Sequence, residues 1–565
     1  MNKLANIDYI IFVIYFLVVA SYGYWIYLRK KKATMSTKDF FLAEGSLTWW
    51  AIGASLIASN ISAEQFIGMS GNGFSVGIAV SAYEWIAAVA LIIVAVWFIP
   101  VYLKNKIYTM PQFLKTRYNE TVALIMAVFW LFLYVFVNLT SILFLGALAI
   151  NNLVGAEHFH IIMVALAIFA LVITLGGMKV IGYTDVIQVI VLIIGGLATT
   201  WLALTMVSEH FGLGKDALAG FNALMKDSPD HFEMILKKPG PGASQEYINR
   251  YLLLPGITIY FAGQWIINLN YWGCNQYITQ RALGADLKTA RNGILFAGLM
   301  KLMMPVIVML PGIAAYVLYK NGGLQGEMAP GGQFNADNAY SAVLTFLPNG
   351  LKGLSLAALT AAIVASLAGK ANSISTIFTL DVYKKYINKE ADEKKLVWTG
   401  RLTIVVAMLV AIAFTWNDLL GIGGAGGFTF IQKYTGFISP GVFAMFLLGM
   451  FWKRTTGAAA VAGIVTGFLL SVVFNNYAAE WFGHETWLYT AFLNSKGVYE
   501  IPFQICMGWA FFFTLLVMVI LSLAGPAINP KAFQLDKAMF KLAPSTIVMI
   551  VITLLILSAL YIRFW

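Results

Sequence analysis

Residues 49–71 read WWAIGASLIASNISAEQFIGMSG. The stretch is apolar enough to begin a membrane span, yet its middle holds Ser59, Asn60, Ser62, Glu64 and Gln65. A helix that faces lipid on all sides does not carry such a run, because polar groups in hydrocarbon are costly. The reading is a span unwound at its centre, with polar side chains and bare carbonyls turned to a pathway. The stretch 255–278 repeats the pattern, with Gln264, Asn268, Asn270, Tyr271, Asn275 and Gln276.

The rest of the chain fits a membrane setting. Of its 565 residues, 60% are hydrophobic and 11% are charged, where a soluble domain is roughly a quarter charged. The apolar runs are continuous rather than alternating, which selects helices over barrel strands. About fourteen spans are expected, near 8–28, 47–69, 79–103, 120–152, 158–175, 182–207, 255–278, 290–319, 338–383, 397–416, 424–450, 456–475, 502–524 and 543–563. The fourth and ninth are too long for one straight crossing and should include tilted or surface segments. The apolar run up to Tyr27 outlasts a signal-peptide core and reads as a retained first helix. Residues 208–253 read as one external loop.

Lysine and arginine concentrate in the odd-numbered connections. The first holds Arg29, Lys30, Lys31, Lys32 and Lys38, the third Lys104, Lys106, Lys115 and Arg117, and the ninth six more between Lys384 and Arg401. The positive-inside rule puts these loops in the cytoplasm and both termini outside. The net charge of +11 is thereby a topology signal, and no nucleic-acid partner is needed. The two cysteines, Cys274 and Cys506, form no metal-binding spacing, and no histidine falls in the middle of an apolar run. No HExxH, no GxSxG and no histidine pair falls within a span, so the chain does not read as an enzyme. Nor does it carry a ring of charges for a channel.

The two interrupted spans lie five apart in the count. They divide the chain into units 47–207 (spans two to six) and 255–450 (spans seven to eleven), followed by trailing helices in 456–565. An odd unit length turns the two halves upside down relative to each other, and paired broken helices in inverted halves point to a midplane site. The competing reading is that these amides and hydroxyls only join helices together.

The same residues carry a resemblance. The stretch 49–71 with AYEW at 82–85, FVNLTS at 136–141, TDVIQ at 184–188, NYWGCNQYITQR at 270–281, PGIAAYV at 311–317 and YTGFISPG at 434–441 resembles the sodium/solute symporter family, within it the bacterial sodium/galactose (sodium/glucose) symporters. The resemblance spans nearly the whole chain and weakens in the external loops and after about residue 480. It implies an all-α polytopic membrane protein of leucine-transporter type, with a 5+5 inverted repeat, one leading helix and three trailing ones. It also implies sodium-coupled symport of a galactose- or glucose-like hexose by alternating access, in a bacterial inner membrane. Myo-inositol, a sialic acid or sodium-independent sugar transport are the alternatives, and a homodimer is compatible.

The resemblance assigns the sugar to Asn60, Gln65, Glu84, Asn268, Lys301 and Gln432, with Ala87 where the family has a serine. A neutral polyol both donates and accepts, which amides match, while a carboxylate and an ammonium give stronger oriented bonds. Tyr271 would gate from inside, Met69, Tyr83 and Phe428 from outside, and Trp272 is a further gate residue. For Glu84 with Lys301 the alternative is a structural ion pair, and for Tyr271 it is helix packing. The sodium site would use carbonyls of Ala58, Ile61 and Ala362, with Ala365 and Ser366 where the family has two hydroxyls. Asp185 matches an acidic position near a second ion or gating site; its alternative is a cap at the start of the sixth helix.

Lys370 is a candidate coupling modifier. It lies four residues past Ser366 on one helix face, about 6 Å along the axis. It is expected either to lean toward Ser366 or to turn into a cytoplasmic vestibule.

Overall fold

The computed structural model describes residues 4–29, 36–43, 47–154, 158–329, 332, 334–422 and 427–565, with side chains at 29, 38, 39 and 428–430 outside the description. Among the described residues, nine helices are long and apolar enough to cross a membrane, and two bent pairs raise that to eleven. The other three expected spans correspond to the broken segment from Trp49 to Ser75, the 16-residue helix Phe159–Thr174, and the pair Gly427–Gly436 and Ser439–Phe451. These miss a length criterion because they are interrupted or short.

The second span is interrupted as its polar run requires. Trp49–Asn60 is α-helical, the chain opens at Ile61 (ψ 99°), and a π-helical turn, Glu64–Met69, resumes it. Ser62 and Gln65 supply the local reason. The Gln65 carbonyl oxygen accepts from the Ser62 amide (3.1 Å) and hydroxyl (3.0 Å), and the Glu64 amide donates to the Ser62 hydroxyl (3.2 Å). This is a capping-box arrangement rebuilt inside a span, satisfying amides that the break exposes. The seventh span opens at Asn275, between Gly263–Cys274 and Gln276–Leu283. There the Tyr134 hydroxyl donates to the Asn275 side chain (2.9 Å) and accepts from the Gln276 amide (3.2 Å).

Two expectations are corrected. The ninth span does not begin at 338: a short helix, Ala339–Leu344, is separated from Leu351–Ile387 by a turn at Pro348, Asn349 and Gly350 (φ +90°). The stretch 208–253 is folded rather than a plain loop, with helices Ala217–Asp227 and Gln245–Leu253. Its His231 is fully buried against the turn after the second span, 3.0 Å from the Phe74 carbonyl. Asp230 pairs with His231 (3.2 Å) and Arg250 (2.7 Å), and these contacts hold its carboxyl below the ordinary range, His231 contributing most.

Packing brings the broken spans together. Leu287–Lys301 lies on Trp49–Asn60, Gly263–Cys274 lies on Ala82–Ile93, and Met178–His210 lies on both Leu351–Thr376 and Trp49–Asn60. The first contact depends on facing glycines. A Cβ on Gly53 would stand 2.8 Å from the Gly293 carbonyl oxygen, and one on Gly293 would stand 2.8 Å from the Trp49 carbonyl oxygen. Small residues at a membrane crossing let the backbones meet. Asn60 follows Gly53 by seven residues and Lys301 follows Gly293 by eight, so the crossing sets these two polar ends against each other.

Candidate functional site

A cavity enclosing about 800 Å³ of empty space, its open mouth included, lies between the breaks. Its wall includes all seven positions expected around the sugar: Asn60, Gln65, Glu84, Ala87, Asn268, Lys301 and Gln432. Tyr83, Tyr271 and Trp272 of the expected gates line it as well. Met69 is buried in the π-helical turn and is not part of the wall. Phe428 lies in Gly427–Gly436, with its side chain outside the described residues.

At the centre, the Lys301 ammonium donates to the Asn60 side-chain oxygen Oδ1 and to Glu84. It also stands 5.2 Å from the Trp272 ring centre, within cation–π range. The Asn60 amide in turn donates to the Tyr271 hydroxyl at 3.0 Å. Four spans are thus joined by one chain of polar contacts, from Glu84 through Lys301 and Asn60 to Tyr271. Gln65 spends its carbonyl oxygen on Ser62, which leaves its NH₂ group as what it can offer a ligand. Tyr83 accepts from Gln504 of the thirteenth span at 2.9 Å, so the trailing helices reach the cavity rim.

The cation candidates sit beside this wall. Ala58, Ile61, Ala362, Ala365 and Ser366 are all buried. The Ser366 hydroxyl donates to the carbonyls of Ser59 (3.0 Å) and Ala58 (3.4 Å). These carbonyls end the first half of a broken helix, where the helix dipole is negative and the last carbonyls lack helical partners. Ala365 has no side-chain oxygen to add. A hydroxyl and carbonyls at a half-helix C-terminus suit an alkali cation.

Asp185 is two turns inside Met178–His210, whose N-cap is Gly177, so it is not a helix cap. It accepts from Ser55 at 2.5 Å and lies 3.9 Å from Arg281, which itself donates to Ser55 at 2.8 Å. Spans two, six and seven are tied there. Lys370 is paired with a carboxylate that the sequence reading did not name as its partner. Its ammonium lines the same cavity, 3.7 Å from Glu64 and 5.1 Å from the Tyr277 ring centre. The carboxylate on the neighbouring span offers it a stronger partner than the Ser366 hydroxyl does. Glu64, Asn138 and Tyr277 are wall residues that the sequence reading did not assign to the site; Glu64 stood in view inside the polar run at 59–65.

The sequence profile described as "Sodium:solute symporter family" matches residues 40–467. A sodium/glucose cotransporter of Vibrio parahaemolyticus is 42% identical, with 100% of this chain and 99% of that protein covered. Sodium/glucose cotransporter 1 of Ovis aries is 34% identical over 82% of this chain and 71% of its own length, and sodium/myo-inositol cotransporter 2 of Mus musculus is 33% identical over 82% and 69%. Among solved structures, the substrate-bound outward-open state of a Na⁺-coupled sialic acid symporter superposes with a TM-score of 0.75 at 19% identity, covering 93% of this chain and 99% of that one. That likeness establishes the leucine-transporter-type fold. The broken spans, the polar cavity between them and a profile match over most of the chain lead to one conclusion: the protein is a multi-pass membrane protein belonging to the sodium:solute symporter family.

Proposed function

We propose that the protein carries a galactose- or glucose-like hexose across the bacterial inner membrane, driven by sodium, by alternating access. The observation that carries this reading is the Glu84–Lys301–Asn60 contact chain inside a cavity that also holds Gln65, Asn268 and Gln432. The set presents amides, a carboxylate and an ammonium to a neutral polyol, with Tyr271 and Trp272 as stacking surfaces. The full-length likeness to a sodium/glucose cotransporter supports the same substrate class. Sodium is assigned to the carbonyls of Ala58, Ile61 and Ala362 with the Ser366 hydroxyl, and Asp185 acts as a gating element between three spans. Ala87 offers no hydroxyl, which bears on which hexose is preferred.

The same reading takes residues 47–207 and 255–450 as inverted units. In its support, the packing of span two on span eight and of span seven on span three exchange under that relation. So do the contacts of span two with six and of seven with eleven. Both termini are placed outside, and assembly as a homodimer belongs to the proposal.

Hexose uptake into proteoliposomes at fixed membrane potential, in sodium and then in choline, tests the function. Wild-type uptake is expected to rise at least tenfold with sodium, and Ser366→Ala to abolish the rise. Uptake equal in both media would contradict the coupling.

A further inference from the structure

The cavity holds two lysine–glutamate pairs, and only one of them is used up by internal bonds. Lys301 donates to both Glu84 and Asn60. Lys370 and Glu64 are different. Their separation of 3.7 Å makes an ion pair but is too long for a hydrogen bond. The Glu64 Oε1 atom is buried without any hydrogen-bond partner. Among the described residues the Lys370 ammonium has an ion pair with Glu64, a cation–π contact with the face of Tyr277 and no hydrogen bond. Both residues are at least nine-tenths buried, and both line the cavity wall.

A buried carboxylate oxygen and a buried ammonium with donor and acceptor capacity to spare are costly unless something completes them. Here they face a ligand cavity. The chemistry that fits is a vicinal diol: one hydroxyl donates to Glu64 Oε1 while its neighbour accepts from Lys370 Nζ. The location has a further consequence. The Tyr277 ring under Lys370 meets the Tyr271 ring edge-on at 5.6 Å, and Tyr271 is held by Asn60, which lies four residues before Glu64 across the break at Ile61. A ligand hydroxyl on this pair therefore touches the same ring of contacts that holds the aromatic gate.

We propose that Glu64 and Lys370 form a second polar clamp in the cavity, binding adjacent hydroxyls of the transported polyol and helping set which sugar is accepted. This rests on the sugar-transport reading above and extends it to two residues outside the Lys301 cluster.

The test compares wild type, Glu64→Gln, Lys370→Met and the double variant, each purified and reconstituted. Uptake kinetics are measured for the hexose the wild type carries best and for its series of single-deoxy analogues. Thermal unfolding in detergent reports folding separately. The expected result is a KM raised about tenfold or more in each single variant with a smaller change in kcat. The penalty should vanish for one or two adjacent deoxy analogues, and the double variant should stay as impaired as the singles. Kinetics unchanged by every variant would overturn the clamp. So would a loss that is equal for all deoxy sugars, or one that the double variant restores; either would make the pair structural only. A wild type that carries no hexose at all would instead overturn the transport reading on which the clamp rests.

Discussion

Lys301 illustrates how one residue can serve both the fold and the ligand. Its side chain is 1% exposed and its charge is answered by Glu84, itself 4% exposed. Removing one partner of a buried pair costs about 3–5 kcal/mol, because the other charge is left uncompensated. Lys301→Ala is thus expected to lower both the unfolding midpoint and uptake. Glu84→Gln combined with Lys301→Met should recover the midpoint while uptake stays at least tenfold down. Thermal unfolding and uptake on the same preparations separate the two roles; a double variant with normal uptake would remove the pair from the sugar site. At this scale, the identity of the wall was readable from sequence. Asn60, Gln65 and Asn268 are amides in otherwise apolar spans, and such residues have few other reasons to be there. The partner of Lys370 was not readable. Helix geometry relates Lys370 to Ser366 on its own span, whereas Glu64 reaches it from another helix whose placement only the folded chain defines.

Between elements, the crossing of Gly53 with Gly293 sets the register of the cavity. A methyl on Gly53 would meet the Phe296 ring at 2.6 Å and the Gly293 carbonyl oxygen at 2.8 Å, and a backbone atom cannot swing aside. Overpacking of this kind costs about 1–3 kcal/mol. Because Lys301 and Asn60 lie two turns beyond the crossing, separating the helices also pulls that contact apart. Gly53→Ala is expected to reduce uptake about tenfold or more with a lowered unfolding midpoint, while a Gly→Ala change at the open position Gly240 leaves both unchanged. Normal uptake in Gly53→Ala would mean that the crossing does not set the site. Some breaks were legible in sequence and some were not. Ser62 and Gln65 have capping-box spacing, and Pro348-Asn349-Gly350 is a turn signal, though the apolar flanks of the latter hid it within the ninth expected span. The π-helical turns at Glu64–Met69 and Ile377–Ile387 have no comparable signature, because they arise from packing rather than from local preference.

For the whole molecule, the alternation of basic loops predicts an orientation that can be measured directly. Both native cysteines, Cys274 and Cys506, are buried, so introduced cysteines report cleanly. A cysteine at the exposed Lys394 is expected to react with an impermeant thiol reagent only from the cytoplasmic side, and one at Lys238 only from outside. Labelling of Lys394 from outside would invert the topology. The account's central claim is that sugar and sodium move together, and thermodynamic coupling is reciprocal. The most direct measurement is therefore the reverse of ordinary uptake. Proteoliposomes are given an inward hexose gradient, equal sodium on both sides and a clamped membrane potential, and radiolabelled sodium entry is followed. The account predicts that the hexose gradient drives sodium inward above its equilibrium level, and that Ser366→Ala abolishes this while leaving the vesicles intact. Hexose entering down its gradient with no net movement of sodium would contradict it.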